Sequence, residues 1–389
     1  MLNVLTLNPI SRRGLSRFPT DRYRVAADVE RPDVILVRSA SLHGRAIPDG
    51  LLAVGRAGAG VNNIPIPELS RRGVPVFNTP GANANAVKEL AIAGLLLACR
   101  RICRGWDFAR GLDGTDAEIH AAVEGGKKQF AGTELAGRTL GVIGLGAIGR
   151  NVANIGVALG MEVIGVDPGL TVEGAWQLSS AVGRARSLDD LLGRAELVTL
   201  HVPLAAETTH LIDAARIASM RPGAVLVNFA RAEIVDERAV VAALDARHLD
   251  TYVSDFPSAL TCRHPQCVTL PHLGASTQEA EENCAIMVVD QVRDFLERGV
   301  MRNAVNFPDV SAPPTTPHRF ICANANVPNM LGQISDAFGH AGLNIHAMVN
   351  QARGDLAYTV VDLDAPVPAD LVEQIAAIDG VLMARRIGE

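Results

Sequence analysis

The sequence predicts an α/β protein of two or three domains, with doubly wound parallel sheets and a small βαββαβ domain at the C-terminal end. Three observations carry this. A chain of 389 residues is too long for one compact core. Hydrophobic residues make up 48% of it and aromatic ones only 4%, an aliphatic mix that suits buried parallel strands. Short apolar runs also alternate with helical patterns along most of the chain, the rhythm of βα units.

Residues 1–7 lack a basic segment followed by an apolar core and a small-residue cleavage site, so they read as a first strand. Buried strands are expected at 33–38, 51–57 and 74–78. A densely apolar helix from about 84 to 104 follows, buried between domains, and the more polar stretch 106–134 is read as the lead into the next domain. From Arg138 a regular βα rhythm places strands at 139–143, 162–166, 196–200, 224–228, 251–254 and 267–270. Asp236 is a candidate cap for a helix over 236–247. A long helix over 277–297 precedes a proline-bearing linker in 306–317. Residues 318–389 then give strand, helix, strand, strand, helix, strand, a split βαβ domain with its own core. The expected division has boundaries near 95/96 and 279/280, a linker at 311–317 and the C-terminal domain 318–389.

Composition excludes several function classes. Lys and Arg number 36 against 42 Asp and Glu, a formal charge of −6, and no long basic run offers a nucleic-acid surface. No 18-residue apolar stretch is free of charge, so no membrane span is expected. The six cysteines (Cys99, Cys103, Cys262, Cys267, Cys284 and Cys322) form no CxxC pair and have no His at zinc spacing. They read as free thiols of a cytoplasmic protein, with no metal site.

The chemistry begins at Gly144-Leu145-Gly146-Ala147-Ile148-Gly149. Such a GxGxxG run alone is weak, but here it follows a buried strand, opens a helix and is followed by a second strand ending at Asp167. Asp167 lies 167 − 149 = 18 residues past the last glycine. Gly144 permits the tight turn, Gly146 lets backbone approach a pyrophosphate, and Gly149 allows close helix–strand packing. The helix start, with Ala147 and Ile148, offers free N–H groups to the phosphates. Asp167 would accept from the ribose hydroxyls and repel a 2′-phosphate, favouring NAD over NADP. This is a Rossmann-type unit.

Three segments, Asn228 to Glu237, Ser254 to Pro257 and Pro271 to Thr277, each follow a later strand of the same sheet, at the edge where doubly wound proteins bind ligands. They bring an arginine, Arg231, and a histidine, His272. A guanidinium fork suits a substrate carboxylate and carbonyl oxygen. A neutral-range imidazole suits removal of a hydroxyl proton as hydride leaves the adjacent carbon.

These motifs resemble the D-isomer-specific 2-hydroxy acid dehydrogenases, and among them the phosphoglycerate-oxidising branch. The likeness includes Arg56-Ala57-Gly58-Ala59-Gly60-Val61-Asn62-Asn63, Val76-Phe77-Asn78-Thr79-Pro80-Gly81, His201-Val202-Pro203-Leu204 with Thr208, and Ala304-Val305-Asn306-Phe307-Pro308. The resemblance implies a two-lobed body, with a substrate lobe of 1–95 and 280–310 and a nucleotide domain of 96–279, and NAD-dependent oxidation of D-3-phosphoglycerate in a homo-dimer or tetramer. It makes Arg231 a substrate binder and His272 the acid/base. His201, Pro203 and Thr208 join the cofactor site, with Ala230 and Asp255 at its nicotinamide end. Arg56, Ala57, Gly58, Asn83, Asn85 and Lys88 are the candidates for holding substrate and its phosphate, with Arg38 a further cation. The last domain resembles an ACT module, in which Asn326 and Asn344 match positions that bind L-serine.

The pattern is departed from in two places. Members carry a glutamate shortly after the strand that here bears Asp255, and it hydrogen-bonds the catalytic histidine. This loop reads Asp255-Phe256-Pro257-Ser258-Ala259-Leu260-Thr261, so orientation of His272 falls to Asp255, another residue or water. In the ACT-like module Asn324 and Asn329 replace the usual histidine and glycine, which leaves dimerisation beside serine binding as its role. Two other functions stay open: oxidation of a different 2-hydroxy acid such as 2-hydroxyglutarate or glycerate, and NAD sensing of the kind found in corepressors of this fold.

Overall fold

The computed structural model describes residues 1–388. By packing, the chain forms two compact units, Met1–Ala82 with Gln278–Glu389, and Asn83–Thr277.

The first unit opens with β1 (Leu2–Leu7), α1 (Arg12–Leu15), β2 (Tyr23–Ala26), β3 (Val34–Val37), β4 (Ala53–Arg56), α2 (Ile66–Arg71) and β5 (Val76–Phe77). The strands form a parallel sheet in the order β2-β1-β3-β4-β5. All four residues of β3 are buried, as expected of a strand covered on both faces. β2, a short edge strand with an exposed arginine, carries too little periodicity to be read from sequence.

In the second unit α3 (Ala84–Cys99), α4 (Ile102–Arg110) and α5 (Asp116–Gly126) precede the nucleotide fold. The fold itself runs β6 (Thr139–Ile143), α6 (Ala147–Ala158), β7 (Glu162–Val166), α7 (Val172–Trp176), β8 (Gly183–Arg184), α8 (Leu188–Arg194), β9 (Leu197–Leu200), α9 (Ala214–Ser219), β10 (Ala224–Asn228), α10 (Glu237–Asp245), β11 (Leu249–Ser254) and β12 (Cys267–Thr269). All seven strands are parallel, in the order β12-β11-β10-β9-β6-β7-β8. The chain winds outward from β6 in one direction and from β9 in the other, so the switch point lies between these two strands.

The structure departs from the expected organisation at several points. The domain boundary placed at 95/96 falls inside α3, and the whole helix belongs to the second unit. Val87, Ala91, Leu95 and Ala98 pack with Val142, Val225 and Val227 of that sheet. A Cβ at Gly94 would sit 2.8 Å from the Phe229 ring, so helix and sheet meet at close range there. The single helix over 84–104 is two, because Arg101 adopts φ 51° between them. The stretch 106–134 is mostly helical, with Thr115 and Glu118 forming a reciprocal cap.

The chain returns to the first unit with α11 (Gln278–Arg298), then β13 (His318–Ala325), α12 (Met330–His340), β14 (Ile345–Arg353), β15 (Leu356–Leu363), α13 (Ala369–Ala376) and β16 (Val381–Ile387). The four strands pair antiparallel in the order β14-β15-β13-β16. One face of this sheet, with Phe320, Cys322 and Val361, is covered by Ile334 and Phe338 of α12 and Leu371 and Ile375 of α13. The other face carries Ile321, Ala323, Tyr358 and Val360, and these share a core with Phe77, Phe295 and Phe307.

The C-terminal segment therefore does not stand on its own core alone. Its linker is pinned as well. Asn306 Nδ2 donates to the Val74 carbonyl at 3.0 Å and its Oδ1 accepts from Val76 N–H at 2.9 Å, while Phe307 is fully buried.

Candidate active site at the switch point

Because every strand of the seven-stranded sheet is parallel, the loops after them emerge at one edge. Gly144 leaves β6 with φ 86°, and a Cβ there would lie 2.6 Å from the His201 carbonyl oxygen. A Cβ on Gly149 would lie 1.8 Å from the Gly144 carbonyl oxygen, so α6 seats against the turn only because this residue has no side chain. Gly146 is different. Nothing lies within 4 Å of its Cβ position, which leaves open space over the first turn of α6. Arg150 makes the first backbone bond back to Gly146, so the N–H groups of Ala147, Ile148 and Gly149 precede the helix ladder. A pyrophosphate fits this cradle.

Asp167 follows β7. Its Oδ2 accepts from Leu145 N–H at 2.7 Å and its Oδ1 from Gly169 N–H at 2.8 Å, which ties the carboxylate to the glycine turn. Each oxygen keeps a second lone pair for ribose hydroxyls.

After β9, His201 donates its backbone N–H to Ile143 at 2.7 Å, and its Nε2 lies 2.9 Å from Thr199 Oγ1. Burial pushes the imidazole down to about 4, so it stays neutral. Thr208 Oγ1 donates to the Pro203 carbonyl at 2.7 Å and accepts from Ala205 N–H at 2.8 Å, closing that loop on itself.

After β10, buried Asn228 accepts from Ala230 N–H at 3.1 Å and donates to the Arg231 carbonyl at 2.8 Å. It sets the turn that presents Arg231, whose Nη1 donates to the Ala230 carbonyl at 2.6 Å. Sequence reasoning passed over Asn228. An asparagine at a strand end is a sufficient signal for such a turn.

Asp255 follows β11 and is 1% exposed. Its Oδ2 accepts from Gly274 N–H at 3.1 Å, which turns the carboxylate toward the His272 loop. His272, after β12, is exposed, and its ring meets Phe256 edge-on at 5.0 Å between centroids.

In the first unit, Arg56 is the last residue of β4, and Ala57 N–H donates to the Val37 carbonyl at 2.8 Å. Gly58 has φ 146°, and a Cβ on it would lie 1.5 Å from Arg56 Nη1, so the guanidinium occupies the space that this glycine vacates. Arg38 is paired with Glu281 at 2.7 Å. The other substrate candidates belong to the second unit. Asn83 precedes α3 without a side-chain cap bond, while Asn85 donates to Glu89 at 2.8 Å and accepts from Lys88 at 2.6 Å.

In the C-terminal sheet Asn326 Nδ2 donates to the Gly354 carbonyl at 3.1 Å, and Asn344 N–H donates to Asp364 at 3.0 Å. A buried polar chain that the sequence did not reveal runs beside them, from Asn350 to Thr359 at 2.8 Å and on to Asn324 at 3.4 Å.

Residues 102–274 match the D-isomer specific 2-hydroxyacid dehydrogenase NAD binding domain. The chain is 33% identical over 350 residues to D-3-phosphoglycerate dehydrogenase of Escherichia coli K12, covering 86% of this chain and 81% of that one. It belongs to the D-isomer-specific 2-hydroxyacid dehydrogenases.

A dehydrogenase of the same name from Methanocaldococcus jannaschii is 36% identical over 293 residues, covering 72% of this chain and 53% of that one. Among solved structures, the holo form of Rhodotorula graminis D-mandelate dehydrogenase aligns with a TM-score of 0.68 at 25% identity, covering 80% of this chain and 99% of that one. The NAD-bound Entamoeba histolytica 3-phosphoglycerate dehydrogenase aligns at 0.59 and 23% identity, covering 78% of this chain and 98% of that one. This 2-hydroxyacid dehydrogenase uses NAD, and the Gly144–Gly149 cradle with Asp167 fits that cofactor. Among the described residues no helix is long and apolar enough to cross a membrane.

Proposed function

We propose that this dehydrogenase oxidises D-3-phosphoglycerate to 3-phosphohydroxypyruvate, the first step of serine synthesis. The observation that supports this substrate is the likeness to relatives of that name over 350 residues. The Gly144–Gly149 turn and Asp167 would hold NAD, which when bound would supply the hydride acceptor for the substrate's C2. Arg231 holds the carboxylate and the C2 oxygen through its guanidinium fork. The His272 imidazole takes the hydroxyl proton, leaving a C2 carbonyl, and returns it in the reverse direction. Neutral His201 lines the cofactor site without adding charge to it. Arg56, with Asn83, Asn85 and Lys88 as further candidates, supplies the cations and donors for the phosphate.

A second reading has an observation of its own. The cations offered for the phosphate are engaged elsewhere, Lys88 with Asn85 at 2.6 Å and Arg38 with Glu281 at 2.7 Å, which favours an unphosphorylated 2-hydroxy acid. NADH formation measured across phosphoglycerate, glycerate, 2-hydroxyglutarate and mandelate separates the two. Phosphoglycerate should lead by kcat/KM, and His272→Ala should lose about 10²–10⁴ in rate. No turnover of any acid by a protein that binds NADH would leave the sensing role instead. The C-terminal domain is read as an ACT module that holds subunits together and takes L-serine near Asn326 and Asn344. Absence of heat on titration with millimolar L-serine would refute the effector.

A further inference from the structure

His272 presents a solvent-exposed imidazole on a loop, and a base held so loosely samples orientations that cannot take a proton. One edge of the ring is fixed by Phe256 at 5.0 Å, but a phenyl edge cannot choose which nitrogen carries hydrogen. The polar group that could make that choice lies beside it. Asp255 is 1% exposed, and while Oδ2 accepts from Gly274 N–H, two residues beyond His272, Oδ1 has no hydrogen-bond partner among the described residues. A buried carboxylate oxygen left unpaired costs free energy, so its retention calls for a reason. The 23 residues from 256 to 278 contain no Asp or Glu, so no carboxylate of that stretch competes with Asp255 for the ring.

We propose that Asp255 is the positioning residue of His272, its Oδ1 taking the Nδ1–H so that Nε2 faces the substrate hydroxyl. This rests on the dehydrogenase reading of the site and adds a partner for its base. Burial raises the Asp255 carboxyl above the ordinary range, and His272 is the charged side chain that most opposes the shift. When the hydroxyl proton moves to Nε2, the imidazolium faces a carboxylate that little solvent screens, an interaction stronger in the transition state than before it. The bond closes as substrate packs against the loop, since catalytic hydrogen bonds commonly tighten only in the complex.

The test compares wild type with Asp255→Asn, which still accepts from Gly274 N–H but carries no charge. The expected result is a lower kcat at saturating NAD, the loss bounded by the about 10²–10⁴-fold that the base itself is worth; NADH affinity is measured beside it, because Asp255 also borders the nicotinamide end. The acid limb of kcat/KM moves to lower pH, because the imidazolium loses its anion. Unchanged kcat and limb overturn the proposal, as does loss of NADH affinity with kcat retained, which makes Asp255 a cofactor residue. Nitrogen-15 NMR titration of His272 reads the same point without turnover. Its pKa should fall and its tautomer mixture broaden in the variant, and an unchanged titration overturns the proposal even if no substrate is found. Should wild type turn over no 2-hydroxy acid, the functional reading fails separately. Asp255→Ser, smaller and still an acceptor, serves if the Asn variant does not fold.

Discussion

Gly149 shows how little freedom a single residue can have. The Cβ of an alanine would meet a backbone carbonyl, not a side chain that can swing away. Gly149→Ala is therefore expected to push α6 off the Gly144 turn and weaken NADH binding by at least about tenfold, a cost of roughly 1.4 kcal/mol or more. Fluorescence titration checks this, and unchanged affinity would show that the turn can move. His201 gives a pH prediction. Its folded pKa of about 4 lies below the ordinary 6.5, so only the unfolded chain gains a proton in between. The contribution from neutral His201 is full above about 6.5 and is lost as pH falls toward 4. Replacing it by Gln should flatten the fall in thermal midpoint across that window.

At the scale of elements, local chemistry decided most boundaries. Asp236 accepts from Arg238 N–H at 3.0 Å and Ala239 N–H at 3.2 Å, so α10 begins where the cap residue stands. Asp236→Ala should cost about 1 kcal/mol in denaturant unfolding. A loss below a few tenths would mean that packing of Val240 and Leu244 fixes the helix start. The nucleotide motif was legible because strand, glycine turn, helix and acidic residue all lie within thirty consecutive residues. The break at Arg101 was not, since a left-handed arginine leaves no mark in composition or periodicity. β8, two exposed residues long, was equally silent.

For the whole molecule, the C-terminal sheet behaves as part of the first unit. Arg319 pairs with Asp362 through two bonds of 2.6 and 2.9 Å, both side chains being almost fully buried, and also donates to the Arg298 carbonyl at 2.9 Å. Tyr358 donates to the Gly299 carbonyl at 2.9 Å, and Arg385 to the Phe295 carbonyl at 3.2 Å while its guanidinium lies 5.1 Å from the Phe295 ring. These side chains cap carbonyls of the last turn of α11 and of Gly299 just past its end, which a helix end would otherwise leave to water. Burial alone would raise the Asp362 carboxyl, but the bonds from Arg319 and Thr315 hold it below the usual range. Arg319→Ala strands that carboxylate and should cost about 3–5 kcal/mol. Calorimetry should show the loss as a lower midpoint of the transition that melts the whole first unit. An early transition confined to residues 318–388 would instead make the sheet a loosely tethered module.

The sequence by itself determined the parallel α/β plan, the βαββαβ order at the C-terminal end, the dinucleotide turn with Asp167, and that Arg231 and His272 follow strands of the same sheet. Each depends on short-range pattern: period, cap, glycine, and which residue follows a strand. Only the tertiary structure decided that α3 belongs with the nucleotide sheet, that the second face of the C-terminal sheet is buried, and that Asp255 bears on the His272 loop. Those depend on which surfaces meet. Alternating apolar residues show that a strand has a face to bury, but the partner comes from residues far along the chain, as Ile321 and Tyr358 find Phe295.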